Sequence, residues 1–185
     1  MKPCLLLLLV FALPLRAEVQ QQLEQTPYIA WGTSQPTLGA VLRGATPITF
    51  GGQRFIGYTR WDISWRFFWY QQSNGRCQLR HPVTRLNAQM TLPDLRGGNS
   101  QIHAQFDQYL RALKRHEMGH YAIAQAAANA IDERLQTLPE QVDCNTLQRV
   151  ANEQAQGILE HYRQQEFDYD LQTGHGISQG AVLPD

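Results

Sequence analysis

The hydrophobic period of this chain changes once, near Asn99, and that change limits the folds open to it. Upstream, in "QRFIGYTRWDISWRFFWY", Trp61, Ile63, Trp65, Phe67 and Trp69 alternate with Asp62, Ser64, Arg66 and Phe68, the period of two that a half-buried strand requires. Asn74 and Gly75 supply a turn and "CQLRHPV" returns as a paired strand. Leu86, Ala88, Met90 and Leu92 then alternate again, before Pro93 and the Gly97-Gly98 pair. Downstream, Ile102, Phe106, Tyr109, Leu110, Leu113, His120, Ala124, Ala127, Ile131 and Leu135 recur at helical spacing, with no proline between Gln101 and Leu138. The pattern predicts a mostly antiparallel sheet, a long helix capped by Asn99 or Ser100, a second helix over about 145–167, and a glycine-punctuated coil. Strands first and helices after make an α+β class. Residues 18–53 read as irregular edge strands.

At 185 residues the chain suits one domain. "MKPCLLLLLVFALPLRA" has an early positive charge, an apolar run from Cys4 to Leu13 and a small residue at Ala17, the layout of a signal peptide cleaved after Ala17. That leaves residues 18–185 as the mature domain, secreted or periplasmic. The apolar run is shorter than the roughly 20 residues that span a bilayer, so no stable membrane insertion is expected after cleavage. The 16 basic and 16 acidic residues become 14 and 16 once Lys2 and Arg16 leave, a balance with no nucleic-acid footprint. Cys4 departs with the leader. Cys77 and Cys144 remain, show no C-x-x-C spacing, and are expected to be bonded in an oxidising compartment.

The long helix carries "KRHEMGHYAIAQ". Residues four apart on a helix are separated by about 40° around its axis, so His116 and His120 present both imidazoles to one ion. Glu117, about 100° from His116, can face a water on that ion without ligating it. Zinc suits such nitrogen donors and acidifies a bound water, whose proton Glu117 then takes as general base. Gly119, in mid-helix, costs about 1 kcal/mol relative to alanine, and close approach of another segment would offset that cost.

Catalytic zinc usually has three protein ligands. The extended motif is absent, because Ile123 and Ala126 stand where its glycine and last histidine belong. His175 in "YDLQTGHGISQG" is the first candidate, since Gly174 and Gly176 let the backbone approach an ion closely. Asp170 could then orient that imidazole from behind. Glu160 or His161 on the second helix is the alternative. Tyr169 is the nominated donor to a developing oxyanion, with Tyr162 second. His81 and His103 read as ordinary strand and helix-start residues.

"GYTRWDISW", "HEMGH", the two cysteines and "YDLQTGHGISQG" together resemble a bacterial family of predicted secreted zinc-dependent proteases, domain of unknown function 922. The resemblance implies a zincin-like fold and a terminal element that favours His175 as third zinc ligand. The mechanism read from the motif attacks a polarised carbonyl, and in an exported protein the most abundant such carbonyl is a peptide's, so a metallopeptidase acting on a peptide or protein substrate is expected. Two other readings stand beside it. One keeps the zinc but cleaves an amide in cell-wall peptide. The other is an envelope-associated module, binding glycan or protein, in which Trp61, Trp65 and Trp69 form an exposed platform and zinc is structural or absent.

Overall fold

The computed structural model describes residues 19–184. The leader assigned to residues 1–17, with its cleavage point, lies outside the described residues.

Strand β1 (Gln20–Trp31) is followed by helix α1 (Leu38–Ala45), the short strands β2 (Thr49–Phe50) and β3 (Gln53–Arg54), and then β4 (Tyr58–Gln71) and β5 (Cys77–Arg96). The long helices α2 (Ser100–Gln136) and α3 (Cys144–Thr173) come next, and a short 3-10 turn (Ile177–Gln179) ends the order. The architecture is α+β, as the change of period predicts. The main sheet has the order β1-β5-β4 and is mixed: β4 runs antiparallel to β5, whereas β1 runs parallel to it. Among the described residues no helix is long and apolar enough to cross a membrane.

Helix α1 departs from the expected irregular strands of residues 18–53. Thr37 caps it by accepting from the Ala40 amide at 3.2 Å, and Leu38, Val41 and Leu42 are buried at helical spacing. Strand β5 joins both expected return segments. Leu79 and Leu86 are an odd number of residues apart, so a regular strand would send them to opposite faces. Both are nevertheless buried, because pairing slips between Arg66↔Val83 and Phe68↔Arg80 and His81 adopts a φ of 48°. This bulge returns Leu79 to the core.

The helices form an antiparallel hairpin against the sheet. Arg134 bonds Gln154 near one end, while Tyr169 reaches the carbonyl of His116 near the other. Ala124, Ala127, Ala128, Ala151 and Ala155 are fully buried in the same core. Their small side chains permit close contact between helices. Cys77 and Cys144 form the expected disulfide, tying the start of β5 to the start of α3. Trp61 Nε1 donates to Glu166 at 2.8 Å and Trp65 Nε1 to Asn152 at 2.9 Å. Both rings pack against the core, so the three-tryptophan platform is not formed.

Helix α3 runs one and a half turns beyond its expected end. Phe167 to Thr173 contains neither glycine nor proline, and the helix stops at Gly174, which takes a left-handed φ of 57°. The extension moves Tyr169 and Asp170 from a coil onto a helix face.

Candidate metal centre

His116, Glu117 and His120 are 3%, 3% and 6% exposed on α2. Across from them, Arg163, Glu166, Phe167 and Asp170 follow the spacing of one face of α3. The segment from Arg54 to Thr59, which leads into β4, supplies the third wall. These elements line a cleft of about 390 Å³, which His175 also borders.

Three donor atoms converge in this cleft. His116 Nε2 and His120 Nε2 each lie 3.1 Å from Asp170 Oδ1 and 3.2 Å from one another. Tetrahedral coordination at 2.0–2.1 Å sets ligand atoms about 3.3 Å apart. The triangle therefore fits one zinc ion, and two imidazoles with a carboxylate are donors zinc accepts.

Both rings are held in place from behind. His116 Nδ1 is 3.0 Å from Gln179 Oε1, and an acceptor there requires the proton on Nδ1, leaving the Nε2 lone pair to the cleft. Gln179 Nε2 donates to Tyr169 Oη at 2.9 Å, and Tyr169 donates to the His116 carbonyl at 3.2 Å. This closes a loop of hydrogen bonds around His116. The Tyr169 ring also stacks on the imidazole, with centroids 5.1 Å apart. On the other side, His120 Nδ1 faces Glu166 Oε1 at 3.4 Å. That separation is an ion-pair contact without hydrogen-bond geometry, since Nδ1 is buried and has no hydrogen-bond partner. The same Glu166 oxygen accepts from Trp61.

The charges agree with a cation site. Burial alone pushes His120 down, but Asp170 and Glu166 outweigh it and hold the imidazole up to about 9. Burial also pulls Asp170 up, yet His116, His120 and His175 hold it well below the usual carboxylate range. In metal-free protein the two carboxylates thus favour a protonated His120 at neutral pH. Burial raises the Glu117 pKa, opposed by Thr59, whose hydroxyl donates to Glu117 Oε2 at 2.8 Å. Gly57 leaves room for this carboxylate, because a Cβ there would stand 2.8 Å from Glu117 Oε1.

The structure brings Asp170, rather than His175, closest to the two histidines. Among the described residues, His116, His120 and Asp170 are the group whose donor atoms lie within 4.8 Å of one another. His175 stands one step outside, with Nδ1 3.4 Å from the same Asp170 oxygen and a side chain 55% exposed. The cause is the length of α3, which delivers Asp170 to the histidines and places His175 beyond the helix cap. The glycines do permit a close approach, but to a different residue: a Cβ on Gly176 would lie 3.1 Å from His116 Cβ.

Tyr169 stands behind the histidines rather than in the cleft, so it braces His116 and is not placed to receive an oxyanion. Its ring is the segment that Gly119 admits, since a Cβ there would fall 2.0 Å from Tyr169 Oη. Glu160 and His161 are exposed and bond Gln156 and Gln165 on their own helix. Tyr162 packs against the core. Sequence reasoning missed Glu166, Gln179, Thr59 and Gly57 as site residues. Glu166 lies four before Asp170, a signal that needed the longer helix, while Gly57 and Thr59 sit inside "GYTRWDISW".

A family model described as bacterial protein of unknown function (DUF922) matches residues 25–176. The match runs from β1 to the glycine beside His175. No curated protein and no solved structure matches the chain.

Proposed function

The chain belongs to the bacterial DUF922 family, whose function is unknown, and from its site we propose that it is a zinc-dependent hydrolase of peptide bonds. The observation that carries this reading is the donor triangle of His116, His120 and Asp170 beside a buried Glu117. Two histidines and a carboxylate also hold iron(II) in oxygenases. A carboxylate base next to the first histidine, Glu117 beside His116, favours zinc and hydrolysis.

His116, His120 and Asp170 would hold the ion. When bound, zinc polarises the substrate carbonyl and makes water acidic enough to lose a proton near neutral pH. Glu117 receives that proton, with its carboxylate fixed by Thr59. Its raised pKa suits it to pass the proton on to the leaving amine. Tyr58, half-buried on the cleft wall, takes the oxyanion-donor role in place of Tyr169. The free edge of β4 begins at this wall, and β4 pairs with β5 alone among the described residues, so an extended peptide has a strand to align on. The leader and the disulfide together support action outside the cytoplasm.

Elemental analysis of the chain from Glu18 tests the site. Near one zinc per chain is expected, lost in His116→Ala, His120→Ala and Asp170→Ala and kept in His175→Ala. Loss in His175→Ala with retention in Asp170→Ala would reinstate the ligand set read from sequence. Glu117→Gln should keep zinc and slow peptide hydrolysis about 10²–10⁴-fold. A variant that cleaves as fast as the parent refutes the mechanism.

A further inference from the structure

The far end of the β4–β5 hairpin carries a surface that the metal centre does not use. β1 joins β5 only from Arg85 onward, so residues 66–71 and 77–83 form a two-stranded extension. One face is closed, because Cys77 and Leu79 are buried with Leu135 and Leu147. On the other, Arg66, Phe68 and Tyr70 alternate, and Phe68 lies opposite Arg80. Phe68 is 64% exposed and Tyr70 56%, whereas Trp69, paired with Leu79, lies at the rim of the closed face.

The charge here is one-sided. The 31 residues from Ile63 to Pro93 contain no aspartate or glutamate and four arginines. Arg76 pairs with Glu140 and Arg85 bonds Gln20. Arg66 and Arg80 make no hydrogen bond or ion pair among the described residues.

Contiguous exposed apolar groups on a soluble protein mark a contact site. Tryptophan and tyrosine favour the membrane–water boundary because their rings are apolar and their N–H or O–H edges are polar. Arginines beside them are drawn to anionic headgroups. We propose that this hairpin end docks reversibly on an anionic lipid bilayer, with Phe68 and Tyr70 entering the interface and Arg66 and Arg80 facing lipid phosphates. A second copy of the chain is a poorer occupant, because pairing these ends would bring Arg66 and Arg80 of both copies together. The docking is peripheral and independent of the hydrolase reading.

Co-sedimentation with vesicles tests it, using the chain from Glu18, which holds every described element. Binding is expected to vesicles of phosphatidylglycerol and phosphatidylethanolamine, to weaken with salt, and to be at least tenfold weaker on phosphatidylcholine. Arg66→Gln and Arg80→Gln should each weaken anionic binding about fivefold. Phe68→Ser with Tyr70→Ser should abolish it, with circular dichroism and melting temperature unchanged. Brominated lipid should quench Phe68→Trp more strongly than the parent. No sedimentation of folded protein, equal binding to neutral vesicles, or binding indifferent to these substitutions would overturn the proposal. So would a dimer in ultracentrifugation that Phe68→Ser converts to monomer, which would give the surface to a second copy.

Discussion

Two glycines in long helices provide a matched test of how the metal centre is braced. Gly157 is exposed on α3, and a Cβ there would meet nothing within 4 Å. Gly157→Ala should therefore show the bare helix gain of about 0.8–1.0 kcal/mol, a rise in melting temperature of about 2–4 °C for a chain this size. Gly119→Ala has the same propensity gain but places its Cβ 2.0 Å from Tyr169 Oη and 2.4 Å from Cζ. Overpacking costs about 1–3 kcal/mol. Each of the two Tyr169 hydrogen bonds put at risk adds about 0.5–1.5 kcal/mol. The net expectation is a loss of about 1–5 kcal/mol, with a melting temperature lower by at least about 2 °C. Because Tyr169 also stacks on His116, zinc content should fall in Gly119→Ala and stay constant in Gly157→Ala. Thermal melts with metal counts on both variants decide the matter. A Gly119→Ala protein that melts at or above the parent, with its zinc intact, would show that Tyr169 does not brace the site.

Glu166→Gln keeps the size of the side chain and an acceptor for Trp61 but removes the charge facing His120. Competition with a chelator should show zinc affinity about 10–100-fold weaker, and unchanged affinity would deny Glu166 an orienting role. In metal-free protein, His120 is held up to about 9 from 6.5, so its stabilising contribution is complete below pH 6.5 and lost as pH rises through 9. Asp170 is held below 3.8, so its contribution is complete above that pH and lost only in stronger acid. The urea midpoint after chelation should thus fall between pH 6.5 and 9, and zinc uptake at pH 7 should release protons. A flat midpoint would contradict the proton-for-metal reading. Reducing Cys77–Cys144, which are 67 residues apart, should cost about 4 kcal/mol in urea titrations. A loss under about 1 kcal/mol would mean that the bridge hardly constrains the unfolded chain.

Features with strong local causes were legible in the sequence, and those set by distant packing were not. The alternation of Trp61 to Trp69, the period of α2 and the placing of His116, Glu117 and His120 all rest on spacing within one element. The disulfide is legible from the two cysteines left beyond an expected leader. Helix α1 departs from the strand reading although Thr37, Leu38, Val41 and Leu42 carry its signal, because Pro36 and Gly39 interrupt the local pattern. The direction of β1 depends on a partner some 65 residues away, which no local pattern encodes. Asp170 falls outside the donor set read from sequence for one reason: "DYDLQTGHG" reads as glycine-punctuated coil, whereas α3 continues to Thr173 and carries Asp170 to the histidines. Thr59 and Glu166 had no pattern of their own and became site residues only when β4 and α3 met α2.

The helical hairpin has a consequence for how the site responds to losing its ion. His116 and His120 arrive on α2, whereas Asp170, Glu166 and Gln179 arrive on α3 and the turn after it. The disulfide fastens α3 at Cys144, 26 residues before Asp170, or about 39 Å along the helix axis. The hairpin is thus riveted at one end and latched at the other, and a metal ion would be the latch. Withdrawing it leaves the last turns of α3 held by side chains alone, so opening would begin there and leave the riveted end shut.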